Sequence, residues 1–134
     1  MIGALVLSLA FAGCESAEQR WYLDRTNTSR HNRKVAALAA DPKLATVAQW
    51  FADASAGKPV GPKPDYDACP TGAQGSASIK MPGAKADQEQ TYLAMAKSAN
   101  AQKVLFDPKF GRGGAGVTHE GNYTYVFVVV ANVC

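Results

Sequence analysis

The sequence predicts an α+β fold: a three-layer α-β-α sandwich around a small antiparallel sheet. Three observations carry this. Tyr125 to Val130 is apolar without alternation; a strand with one wet face would alternate, so both of its sides must be covered. After Asp41-Pro42, the residues Leu44, Val47, Ala48, Phe51, Ala52 and Ser55 keep helical spacing, so one stripe faces a core. Helical patterns come early and strand patterns late, in a chain of 134 residues with room for a single core.

The first segment stands apart. Ile2 to Ala12 is apolar except for Gly3 and Ser8. It is too short for a bilayer core, which needs about 20 residues in a helix, but it suits the apolar part of an export signal. Residues 1–13 are therefore expected to be a leader. Phe11-Ala12-Gly13-Cys14 resembles a bacterial lipobox, which would place lipid on Cys14. A cut after Ala12, in an Ala-x-Ala pattern, would instead release a secreted protein, and a buried N-terminal helix is the third reading. Three cysteines favour the first reading, because acylation of Cys14 leaves Cys69 and Cys134 to pair in an oxidising compartment. That disulfide would close a long loop and stabilise the fold by about 4 kcal/mol in the chain-entropy model. Residues 14–20 are small and polar and read as a tether, with the domain spanning 21–134.

Within the domain, Trp21 to Lys34 reads as a short helix capped by Asp24, with Leu23, Asn27 and Arg30 on one side. Asp41 caps the second helix, Pro42 suits its first turn, and Gly57 and Pro59 stop it. Gly57 to Pro64 is a loop, and an irregular stretch continues to Ala86, with one short strand over Ala77 to Met81. Asp87 to Ala101 is expected as a third helix, with Tyr92, Met95, Ala96 and Ala99 marking its buried stripe. Gly111 to Gly116 reads as loose chain. A strand begins at Gly116, turns at Glu120-Gly121-Asn122 and returns as Tyr123 to Ala131.

Two blocks resemble the bacterial branch of the CAP domains, the group of cysteine-rich secretory, antigen 5 and pathogenesis-related proteins. The first is Asn27-x-x-Arg30, then Leu38, Asp41-Pro42-x-Leu44, Ala48 and Ala52. The second is Met95-x-x-Ser98, then Leu105-Phe106-Asp107-Pro108-x-Phe110 and Gly114-x-Gly116-Val117. The resemblance runs from Asn27 to Val130 and is poor between Asp53 and Gln88. It implies the same sandwich, and grooves that in some relatives hold sterols or fatty acids. Many relatives also hold a divalent metal with two histidines and two acidic residues. Here Ala101 and Gln102 stand where the second block usually has His-Arg, and Tyr66 to Ile79 contains no His and no Glu. No metal site and no cofactor are therefore expected.

Other chemistry is thinly represented. The net charge of +3 is scattered, with no basic stripe for nucleic acid. No Cys-x-x-Cys, Gly-x-Ser-x-Gly or phosphate-loop ending is present. His119 and Glu120 are neighbours on a strand, so they should face opposite ways. His31 lies between Arg30 and Arg33 without an evident partner. His119, Tyr92, Met95 and Tyr125 mark a possible cleft. The reading is a monomeric, non-enzymatic envelope protein, lipid-anchored on the outer face of the membrane or secreted, that binds an apolar, sterol-like ligand or a partner protein. The alternative is a small hydrolase with its cleft near His119.

Overall fold

The computed structural model describes residues 15–64 and 72–133. Its elements run α1 (Ala17–Asn32), β1 (Ala39–Ala40), α2 (Pro42–Ser55), β2 (Gln74–Pro82), α3 (Gln88–Ala96), α4 (Ala99–Leu105), β3 (Phe110–Glu120) and β4 (Tyr123–Asn132). The fold is α+β, with a four-stranded sheet in the order β1-β3-β4-β2. The three long strands are antiparallel, and the two residues of β1 pair parallel to β3 at Arg112 and Gly113.

The alternation along β4 explains the layers. Val126, Val128 and Val130 point to one side, where Tyr22 and Leu23 of α1, Tyr92 and Met95 of α3, and Ala101 and Leu105 of α4 close the main core. Phe127, Val129 and Ala131 point to the other side, against Leu44, Val47, Ala48 and Phe51 of α2. The apolar run in the last strand is thus two interleaved stripes, one for each helical layer. The α2 layer is narrower than the sheet. On β2, Gln74, Ser76, Ser78, Lys80 and Pro82 are all exposed, so the outer strand has one open face.

Several boundaries differ from the sequence reading. The expected tether over 14–20 gives way to helix at Ala17. Ser16, not Asp24, is the cap: its hydroxyl accepts from the Gln19 amide at 3.1 Å, and its own amide donates to Gln19 Oε1 at 2.7 Å. This reciprocal box satisfies two amides that the helix start would leave unpaired. The single helix expected over 87–101 is two, α3 and α4, because the Ser98 hydroxyl accepts from the Ala101 amide and starts a new helix there.

The stretch 111–116 is not loose but forms the first half of β3. Two of its glycines, Gly114 and Gly116, serve contact with α2 rather than turning. A Cβ on Gly114 would lie 2.2 Å from the Ala45 nitrogen, and one on Gly116 would lie 2.3 Å from the Gln49 nitrogen. The α2 backbone therefore rests directly on β3, as close as two main chains can pack.

Candidate functional site

The close approach of α2 to β3 sets up a polar seam. Gln49, on the sheet side of α2, donates from Nε2 to the Val117 carbonyl at 2.9 Å and to the Thr118 hydroxyl at 2.8 Å, and its Oε1 accepts from the Val117 amide at 2.9 Å. Gln19, one turn into α1, donates to the Ala115 carbonyl at 2.9 Å. These two amides brace both helices to one strand and form the floor of an open cleft of about 320 Å³. Glu15 and Gln19 line it from the α1 side, Ala45, Thr46, Gln49, Trp50 and Asp53 from α2, and Pro64 from the loop beyond.

Two carboxylates occupy this cleft in different surroundings. Asp53 accepts the Thr118 hydroxyl and, at 3.1 Å, the Gln49 amide, with Lys58 at 4.0 Å, and all three partners meet Oδ1. The Glu15 side chain is only 9% exposed, and its Oε2 is buried without a hydrogen-bond partner. Arg20 stands 3.9 Å from the other oxygen. Burial raises the Glu15 carboxyl above its ordinary range; Arg20 opposes this, and Asp24 and Asp41 add to it. Sequence reasoning missed this cleft because Glu15 reads as tether and Asp53 as the wet side of a helix. The signal that was available is Ser16-x-x-Gln19, a capping pattern that starts the helix early and draws Glu15 into the fold.

The residues predicted to share a cleft do not converge. Tyr92 and Met95 are each 1% exposed and belong to the main core. Tyr125 pairs with Thr118 across the strands, so it lies on the α2 side, whereas His119 points to the opposite side. His119 does have partners. Nε2 lies 2.8 Å from Glu18 Oε2, and Nδ1 lies 2.9 Å from the Thr124 hydroxyl. Carboxylate, imidazole and hydroxyl thus stand in the sequence of a nucleophilic relay, and Glu120 takes no part and is exposed. Thr124, however, is 0% exposed. Its hydroxyl already donates to the Gly83 carbonyl and accepts from the Ala86 amide, so its single proton is committed and Nδ1 is the donor toward it. The cluster ties α1, the 83–86 turn and the closing hairpin together.

Asn27 and Arg30, quoted above for the family resemblance, are structural. Asn27 exchanges two hydrogen bonds with the Leu38 backbone, at 3.0 and 2.7 Å. Arg30 is fully buried and donates to the carbonyls of Ala36, Leu105 and Phe110 at 2.7, 2.7 and 2.8 Å. Burial lowers its basicity, and Asp107 partly restores it. His31 is exposed at the end of α1. Cys14, Cys69 and Cys134, and with them the proposed acylation and disulfide, lie outside the described residues. Among the described residues, no group of three or more His, Cys, Asp or Glu side chains is placed to hold a metal ion.

Comparison with known proteins places the fold. No family model and no curated protein matches the chain. Among solved structures, a cysteine-rich secretory protein from Staphylococcus aureus superposes with a TM-score of 0.57 at 16% identity, over 87% of this chain and 38% of that one. The protein MpPR-1i matches at 19% identity with a TM-score of 0.47, over 84% of this chain and 83% of its own. The staphylococcal superposition shows that the chain has a CAP-like fold. It spans well under half of the staphylococcal chain it is similar to.

Proposed function

We propose that this chain is a non-enzymatic binding protein of the cell envelope, exported and held by lipid on Cys14, which uses a CAP-like body to engage an apolar ligand or a partner protein. The observation that carries the binding reading is the cleft between the start of α1 and α2, which has a rigid floor and an aromatic wall. The apolar leader ending in Ala12-Gly13-Cys14 supports export and anchoring. No helix among the described residues is long and apolar enough to cross a membrane. The engaged hydroxyl of Thr124 supports a body without a nucleophile at His119.

Two experiments test this. The Cys14→Ser variant should move from the membrane fraction to the soluble fraction, and equal retention would remove the anchor from the account. Purified protein should hydrolyse ester, amide and phosphate reporters no faster than its His119→Ala variant. A rate that disappears in His119→Ala while the fold persists would establish the hydrolase instead.

A further inference from the structure

We infer that the cleft between α1 and α2 is a receptor for an organic cation, a primary ammonium or guanidinium on an apolar stem, such as the lysine or arginine side chain of a partner protein. The inference rests on the reading of the body as a binding module and names what its cleft takes. It comes from an account of donors and acceptors. The side-chain donors around the cleft are mostly committed elsewhere: one Gln19 N–H to Ala115, Gln49 to Val117 and Thr118, the Trp50 indole N–H to the Gly61 carbonyl at 2.8 Å, and the Thr46 hydroxyl to the Pro42 carbonyl at 3.0 Å. The acceptors are not used up. Asp53 is engaged through Oδ1, and Glu15 keeps a buried oxygen with no hydrogen-bond partner. With most of these donors engaged and two carboxylates among the described lining residues, the cleft favours a ligand that donates.

Charge and shape narrow the class. An acid that is nine-tenths buried with an unpartnered oxygen is costly, and either a proton or a cation relieves it. Arg20, about half exposed, stands 3.9 Å from Glu15 and hydrogen-bonds Asp24 at 3.1 Å, and Lys58, similarly exposed, stands 4.0 Å from Asp53. They leave room for a better-placed charge. The half-buried Trp50, with Ala45 and Pro64, offers an apolar wall on which a methylene stem can lie, and an indole face attracts a cation. The charged groups that face Glu15 are Arg20 and Asp24 on α1 and Asp41 at the start of α2, the last paired with Arg112. A cation bound here would therefore favour the ionised Glu15 carboxylate, and its affinity would fall as pH drops through the raised range of that carboxyl.

The test is a titration of the full-length protein with Nα-acetyl-lysine methylamide, followed through the Gln19 and Gln49 side-chain amides and the Trp50 indole N–H by NMR. The norleucine analogue, which has an apolar stem but no charge, is the control. The lysine probe should shift these signals in a saturable way and the norleucine probe should not. Glu15→Gln and Asp53→Asn should each weaken binding about tenfold, and calorimetry in two buffers of different ionisation enthalpy should show proton release that Glu15→Gln abolishes. Absence of saturable binding, equal affinity for the two probes, or unchanged affinity in Glu15→Gln would overturn the inference. Norleucine binding at the same signals would sink the cation assignment and leave the binding-module reading standing. Loss of native dispersion in Asp53→Asn would not rescue it, since Glu15→Gln and the norleucine control decide independently.

Discussion

Gly116→Ala is the sharpest perturbation the fold offers. The added Cβ would lie 2.3 Å from both the Ala48 carbonyl carbon and the Gln49 nitrogen. These are backbone atoms within a helix, so no rotamer change relieves the clash. α2 must lift by more than 1 Å to restore ordinary contact at about 3.5–4.0 Å. The lift would loosen Leu44, Val47 and Ala48, each no more than 1% exposed, from Val129 and Ala131. Overpacking of a tight core costs about 1–3 kcal/mol, and a clash with backbone belongs at the top of that range. Urea unfolding should therefore show a loss of about 3 kcal/mol with an unchanged slope. Gly61→Ala is the control: nothing lies within 4 Å of its Cβ, and it should be neutral or slightly stabilising. Gly114→Ala should act like Gly116→Ala, and the double variant should cost less than the sum, because one displacement of α2 relieves both clashes. A loss under about 1 kcal/mol for Gly116→Ala would refute the claim that main-chain contact between α2 and β3 sets this layer.

Arg30→Met should destabilise by about 3–5 kcal/mol in the same assay, because it leaves the buried carbonyls of Leu105 and Phe110 without their charged donor. Glu89 meets Arg25 in a two-point pair at 2.7 and 2.9 Å, and this hydrogen bonding holds its carboxyl below the ordinary range. Its contribution is therefore present above the ordinary carboxylate pKa and is lost as pH falls through the lowered value; Glu89→Gln should flatten the acid side of a stability–pH profile and change little else. Glu15 has the opposite sign. Its raised carboxyl binds the proton more tightly when folded, so its contribution is fully present below the ordinary carboxylate pKa and is lost as pH rises through the raised value; Glu15→Gln should raise Tm at pH 7 but not at pH 3.

The sequence disclosed most where one physical cause dominates. Asp41-Pro42 and the spacing that follows define α2 to the residue, because a capping carboxylate, a first-turn proline and an amphipathic stripe agree. The apolar run of β4 announced a strand sandwiched between helices, and it is one from Val126 to Ala131. Legibility failed where a residue type serves two causes. Glycines at 111–116 suggested loose chain, since glycine marks turns, but Gly114 and Gly116 face a helix backbone that no side chain would admit. Ser98 sits in an unbroken helical pattern, yet its hydroxyl competes for an amide and divides the helix. The helical spacing of Tyr92 and Met95 marks a buried stripe, but nothing local says whether such a stripe meets a core or a cleft, and Tyr125 carries no mark at all. That distinction depends on which side of the sheet each one meets.

The candidate site was hidden for a related reason. Its chemistry comes from two residues that look solvated in sequence, Glu15 and Asp53, and what makes them a site is the pair of glutamines between them and the sheet. Gln19 and Gln49 use their amides on the β3 backbone, which lets two helices approach a strand at points where that strand offers glycine, alanine or a hydroxyl instead of bulk. Glu15, whose side chain is nearly buried, lies in the cleft beside this close contact. Stability and recognition are therefore coupled in this layer: raising α2 by an added methyl group would weaken the core and, in the same motion, hydrate Glu15. Gly116→Ala should accordingly return the Glu15 carboxyl toward its ordinary range, and a side-chain carboxyl titration by NMR that leaves it raised in this variant would show that the cleft and the layer are independent.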